Sequence, residues 1–167
     1  SAYAWESQLQ GADFDYFQLV FDCYRALRQA GLSVDVMPKS VDPSAYKITF
    51  APGLLTVPES LRGGLVVAGP RAGSKTKELT IPEGLGPDIA GLCTKVTFVE
   101  SLPPFAPMAL DGGGAFIKWR EAIETTDTVI LRLEEGAPAA VRSAQMIYIA
   151  GWPDATGWRS RARHAFG

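Results

Sequence analysis

The sequence predicts an α/β fold, a mainly parallel, doubly wound sheet with an antiparallel extension towards its C-terminal end. Three observations carry this. An amphipathic run over residues 16–27 stops at Gly31 and is followed at once by an extended apolar segment, residues 32–37. Two short apolar runs, residues 47–51 and 65–69, are bounded by turn residues and suit strands covered on both faces. Beyond Pro82 the pattern becomes short alternating strands separated by turns, which suits antiparallel pairing.

The elements follow in order. Asp15 with Gln18 three residues later reads as an N-cap and capping box, and Phe17, Val20, Phe21, Tyr24, Leu27 and Leu32 supply the predicted apolar face. Residues 32–37 are predicted as the first strand after the helix, 47–51 as the next and 65–69 as a third. The link over residues 54–64 is short for a parallel crossover, with residues 57–62 making barely a turn and a half of helix. It reads as a trimmed crossover or an interrupted chain. Residues 95–100 alternate as a strand, residues 103–114 read as a loop rich in Pro and Gly, and residues 116–123 read as strand or short helix. Residues 128–133, 139–142 and 145–150 predict a meander that extends the parallel sheet or packs at its edge. The tail from Trp158, with Arg159, Arg161, Arg163 and His164, predicts a short basic helix.

Composition narrows the function classes. At 167 residues, 47% hydrophobic, 20% charged and a net charge of −2, the chain is expected to be one ordinary globular domain with a sizeable core. Nothing points to nucleic acid or to an anionic membrane, and neither is expected as a partner. Two cysteines, Cys23 and Cys93, are too few for a disulfide scaffold and read as structural thiols, which with the lack of a secretory leader suggests a cytoplasmic parent. Ser1-Ala2 and the start so close to Trp5 suggest an excised fragment.

No catalytic, cofactor or metal site is predicted. Residues 69–76, Gly-Pro-Arg-Ala-Gly-Ser-Lys-Thr, imitate a phosphate loop, but the glycines are one residue too close, Ser74 separates Gly73 from Lys75, and no helix start follows. A single histidine, His164, denies the chain a Ser-His-Asp or Cys-His arrangement and most zinc sites. Glu6, Glu100, Glu121, Glu124, Glu134 and Glu135 offer carboxylates for glycoside chemistry, yet Glu134-Glu135 falls in a turn and Glu121 with Glu124 reads as a solvated face. Of Trp5, Trp119, Trp152 and Trp158, Trp152 in Gly151-Trp152-Pro153-Asp154 is predicted to be the most exposed.

Several segments together resemble the middle domain of family 42 glycoside hydrolases, the β-galactosidases. They are Trp5-Glu6-Ser7 before a long helix, residues 42–53, the 69–76 loop, Trp119 with Glu121, residues 139–142, and Tyr148-Ile149-Ala150-Gly151. The resemblance covers nearly the whole chain. It implies an amidotransferase-like α/β fold (the flavodoxin-like, doubly wound type) without a catalytic elbow, in a non-catalytic domain that joins three subunits. It further implies partners: copies of itself in a homotrimer, and the catalytic barrel of the same parent chain, where the family's glutamates reside. Residues 155–167 would lead towards a following domain.

A cyclic trimer needs two different patches on each subunit. Interface patches favour aromatic residues and arginine, so the candidates are Arg71, Lys75, Phe105, Met108, Phe116, Trp119, Trp152 and Trp158. The alternative reading is a small-molecule or sugar-binding α/β module that uses the crevice at the strand ends near Trp5, Gly53 and Arg71.

Overall fold

The computed structural model describes residues 14–58, 61, 64–82 and 84–166, the backbone alone from 161 onwards. Trp5, Glu6 and the side chains of Arg161, Arg163 and His164 therefore lie outside the described residues. Helix α1 spans Tyr16–Gln29 and α2 spans Ala155–Phe166. The strands are β1 Ile48–Ala51, β2 Leu65–Ala68, β3 Thr94–Ser101, β4 Met108–Ala109, β5 Ala115–Thr125, β6 Thr128–Arg132, β7 Pro138–Ser143, β8 Met146–Ile149 and β9 Gly151–Pro153.

Helix α1 begins as the sequence predicts. The Asp15 carboxylate accepts from the Gln18 N–H at 3.0 Å, satisfying one of the orphan donors of the first turn. The reciprocal half of the capping box is missing, because the Gln18 amide donates instead to Asp22 at 2.8 Å. At the other end Gly31 adopts φ +84°. Its N–H donates to the Arg28 carbonyl and the Leu32 N–H to the Leu27 carbonyl, the Schellman pattern that stops a helix. The buried face, however, is Leu19, Cys23, Ala26 and Leu27, whereas Phe17 and Phe21 are 54% and 52% exposed. The predicted stripe holds at Leu27 and Leu32 and fails at Phe17 and Phe21: the small side chains of Cys23 and Ala26 let the helix sit close to the sheet, and the two phenyl rings face outwards.

Two sheets make up the fold. The first runs β1-β2-β8-β7-β6, parallel across β1–β2 and β2–β8 and antiparallel across β8–β7 and β7–β6. The second is antiparallel, β3-β5-β4, with β9 also paired to β5. The sheets are joined twice. Ala150 sits between β8 and β9; its N–H donates to the Ala139 carbonyl on β7 and its own carbonyl accepts from the Glu121 N–H on β5. Leu110 bridges Leu133, linking the end of β4 to the end of β6. A hydrogen-bonded circuit thus runs through β5, β9–β8, β7, β6, β4 and back to β5.

The architecture is mixed α/β with few helices among the described residues, and of the expected mainly parallel, doubly wound sheet only the parallel pairing of β1, β2 and β8 is seen. Alternation in β2 shows why. Val67 faces the core beneath α1, with Trp152 and Trp158, while Val66 and Ala68 face a second core made with Ile89, Val96, Ile123 and Tyr148. That second face is covered by β3, β5 and the loop after β2 in place of helices, and no helix lies between β1 and β2 among the described residues.

Two further expectations are corrected, and one left open between strand and short helix is settled. Residues 32–35 alternate in burial, with Leu32 and Val34 packed on the core and Val36 turned out, but the backbone of 32–37 makes no ladder with β1 and forms a strap. Residues 103–114 are not merely a loop, since they contain β4 and the fully buried Leu110. Residues 116–123 are strand, not helix. Lys118 at φ +61° resets the alternation in β5, so that Phe116 and then Trp119, Glu121 and Ile123 point inwards.

Candidate functional site

The polar centre of the molecule lies where the two sheets meet. Glu121, on β5, is 3% exposed. Its carboxylate accepts from the Tyr148 hydroxyl at 2.6 Å, the Arg71 N–H at 2.9 Å and the Trp119 indole at 3.3 Å. These donors come from β8, from the turn after β2 and from β5 itself, so one side chain ties three segments together. Burial pushes the Glu121 carboxyl above its ordinary value, although its three donors and the Arg71 charge pull the other way. The same burial, reinforced by the Glu121 charge and hydrogen bond, raises the Tyr148 hydroxyl well above its usual range.

Arg71 completes the centre. It holds φ +62°, a left-handed conformation that side chains seldom adopt. That turn aims its N–H at Glu121 and lays the guanidinium 5.0 Å from the Phe14 ring centre and 5.3 Å from that of Trp119. Desolvation lowers its pKa to about 10, against the opposing influence of Glu121 and Tyr148. Gly69 is obligatory just before it, since a Cβ there would collide with the Ile149 carbonyl on β8. The turn carries no helix behind it; the next element is β3.

The expected solvated face at Glu121 is therefore corrected, with Glu121 inside and Glu124 outside. A signal was present: Trp119, Glu121 and Ile123 share one side of an alternating strand.

The predicted interface candidates divide sharply. Phe116, Trp119, Trp152 and Trp158 are all under 5% exposed, as is the whole of Trp152, expected to be the most exposed tryptophan and in fact 0% exposed. Gly151 makes this possible, since a Cβ there would overlap the Phe116 ring. The Trp152 indole donates to Asp22 of α1 at 3.3 Å and Lys118 lies over its ring. Arg71 is enclosed as described. Lys75 is half-buried, and Met108 is half-buried with its sulfur accepting from Arg120 at 3.2 Å. Phe105 stands out at 88% exposed.

The surface that sequence reasoning missed is a groove of about 270 Å³ between α1, the strap and β1, the edge strand of the first sheet among the described residues. Tyr16, Val20, Tyr24, Val36, Val41 and Tyr46 are among the residues that line it. By contrast, the strand-end crevice near Gly53 and Arg71 is filled from within, since Tyr16 and Leu19 close on Gly53.

Two joined sheets, one of them partly parallel, and a buried polar seam where they meet define a mixed α/β domain. Its family follows from comparison: residues 1–163 match the β-galactosidase trimerisation domain, and the chain belongs to that family. The β-galactosidase BgaA of a Thermus species is 39% identical over 164 residues, covering 92% of this chain. In structure, the β-galactosidase of the psychrophilic Marinomonas ef1 superposes with a TM-score of 0.88 at 28% identity over 98% of this chain and 26% of its own. The β-galactosidase of the Antarctic haloarchaeon Halorubrum lacusprofundi gives 0.86 at 28% identity over 98% of this chain and 28% of its own. The chain spans 25% of the length of the Thermus relatives it matches.

Proposed function

We propose that this chain is a non-catalytic self-association domain that holds three copies together, and that its parent hydrolyses terminal β-D-galactosides with retention through glutamates outside residues 1–167. The carrying observation is the match of almost the whole chain to the trimerisation family, by relatives of which it spans only a quarter. The enclosed Glu121 supports the non-catalytic part. We read the parallel strands β1, β2 and β8 as what remains of an amidotransferase-like, doubly wound arrangement. The single domain is read as one unit of a larger β-galactosidase, partnered by the barrel of the same parent chain. Its free thiols, Cys23 and Cys93, accord with a cytoplasmic location.

The test uses the isolated chain. It should release no chromophore from a nitrophenyl β-galactoside and should show mass above the monomer in sedimentation as concentration rises. Turnover that survives repurification and is lost on Glu121→Gln would overturn the non-catalytic reading.

A further inference from the structure

A ring of three identical subunits is closed by a heterologous contact, in which one patch meets a different patch of the next copy. Two features of this chain have the shapes that such a contact requires. We propose that the loop bearing Phe105 inserts into the groove between α1, the strap and β1 of a second copy. This rests on the self-association reading above and names the surfaces that carry it.

The projecting part is built from the sequence. Pro103, Pro104 and Pro107 flank Phe105, and the Ala106 N–H donates to the Pro103 carbonyl at 3.0 Å, closing a β-turn. Pro104 occupies its second position, where the fixed φ of proline suits the turn. Phe105 is held at the tip of a stiffened loop, 88% exposed, so little backbone freedom is left to lose on docking.

The receiving part is the apolar groove beside β1 on the other sheet. A cavity of roughly 150 Å³ lined by apolar side chains takes up a benzene molecule, and this groove offers about 270 Å³. It continues onto an apolar surface. On α1, Tyr16, Val20 and Tyr24 line the groove, and Phe17 and Phe21 stand one position further round the helix, both about half exposed. Val36 is 77% exposed, Val41 46% and Tyr46 37% on the opposite wall. Together these side chains leave on the order of 400 Å² of apolar surface to solvent. That is as large as the largest patch of a typical monomer and about half of one side of a standard interface. The loop and the groove lie on different sheets, so the contact is head-to-tail and leaves each copy one free loop and one free groove until the ring closes.

The experiment is sedimentation of the chain, and of the longer polypeptide where the chain is embedded in one, with two surface variants: Phe105→Asp, which removes the projecting ring, and Val36→Asp, which charges the groove wall. Both positions are exposed, so circular dichroism and melting should match wild type. Each variant alone should weaken association at least tenfold. An equimolar mixture should recover a two-subunit complex that cannot close, because one intact loop and one intact groove remain. Association of wild type that neither variant alters, or that only one alters, overturns the loop-in-groove contact while leaving self-association standing. A mixture with no recovered complex overturns the pairing of these two surfaces. A strict monomer in both polypeptides overturns the self-association reading and this contact with it.

Discussion

Glu121→Ala is the sharpest test of the buried seam. The substitution deprives the Arg71 N–H, the Tyr148 hydroxyl and the Trp119 indole of their shared acceptor at once. Each buried donor left unmade costs about 1–3 kcal/mol, but three losses at one site are not independent. The truncation also removes the electrostatic influence of Glu121 on the buried Arg71 guanidinium. We expect a total of about 3–5 kcal/mol, which for a chain of this size lowers Tm by roughly 6–20 °C. Glu121→Gln keeps the shape and two of the acceptor contacts, and should cost much less at neutral pH. The pH dependence carries the finer check. Burial raises the folded carboxyl above its ordinary 4.5. The folded state therefore favours the protonated form, so this contribution is fully present below the unfolded pKa and is lost as pH rises through the folded value. The stability of wild type relative to Glu121→Gln should thus fall as pH is raised from about 4. Urea unfolding of the two proteins across pH 4–8 measures it. A difference that is flat or that grows with pH would refute the claim that burial dominates at Glu121, and a loss below about 1 kcal/mol for alanine would refute the seam as a tie between segments.

Two further predictions follow from local geometry. Gly69→Ala drives a Cβ into the Ile149 carbonyl at φ +94° and should destabilise by well over the roughly 1–2 kcal/mol of a left-handed alanine; Gly31→Ala, at φ +84° with open space around it, should cost only that amount in a thermal melt. Cys93 is exposed and should react promptly with a thiol reagent in the native protein. Cys23, buried beneath α1 with its thiol pushed up by desolvation, should react only on unfolding.

Local signals were legible wherever one residue's chemistry decides the outcome. Asp15 and Gly31 marked both ends of α1, and short apolar runs marked β1 and β2. What the sequence could not show was which neighbour each apolar residue meets. Helix α1 carries apolar side chains over more than half of its circumference, opposite Gln18, Asp22, Arg25 and Gln29, so the 3.6-residue period left two stripes available, and only packing against the sheet selected Leu19, Cys23, Ala26 and Leu27. The strap over residues 32–37 has the alternation of a strand, but alternation reports burial and not hydrogen bonding. Glu121 was misplaced because residues 116–123 allowed both helix and strand; the choice of strand alone would have turned it inwards. Trp152 was misplaced because the chain crosses from one sheet to the other at Ala150, a junction that leaves no local signal.

The partition of the aromatic side chains decides how association can be studied. Phe14 meets Trp119 and Trp152 edge-on at 5.3 and 5.7 Å, and Phe116 and Trp158 are enclosed within the same chain. The core is therefore complete without a second subunit. Substituting Trp152 or Trp158 would lower association by loosening the fold, since truncating a buried tryptophan costs about 3–5 kcal/mol, and the outcome would say nothing about where copies touch. Phe105 and Val36 belong to no core cluster, and charging them perturbs only what lies outside the chain. A loss of association with an unchanged melt at both positions, restored in the mixture of the two variants, is the signature of a lost contact between copies.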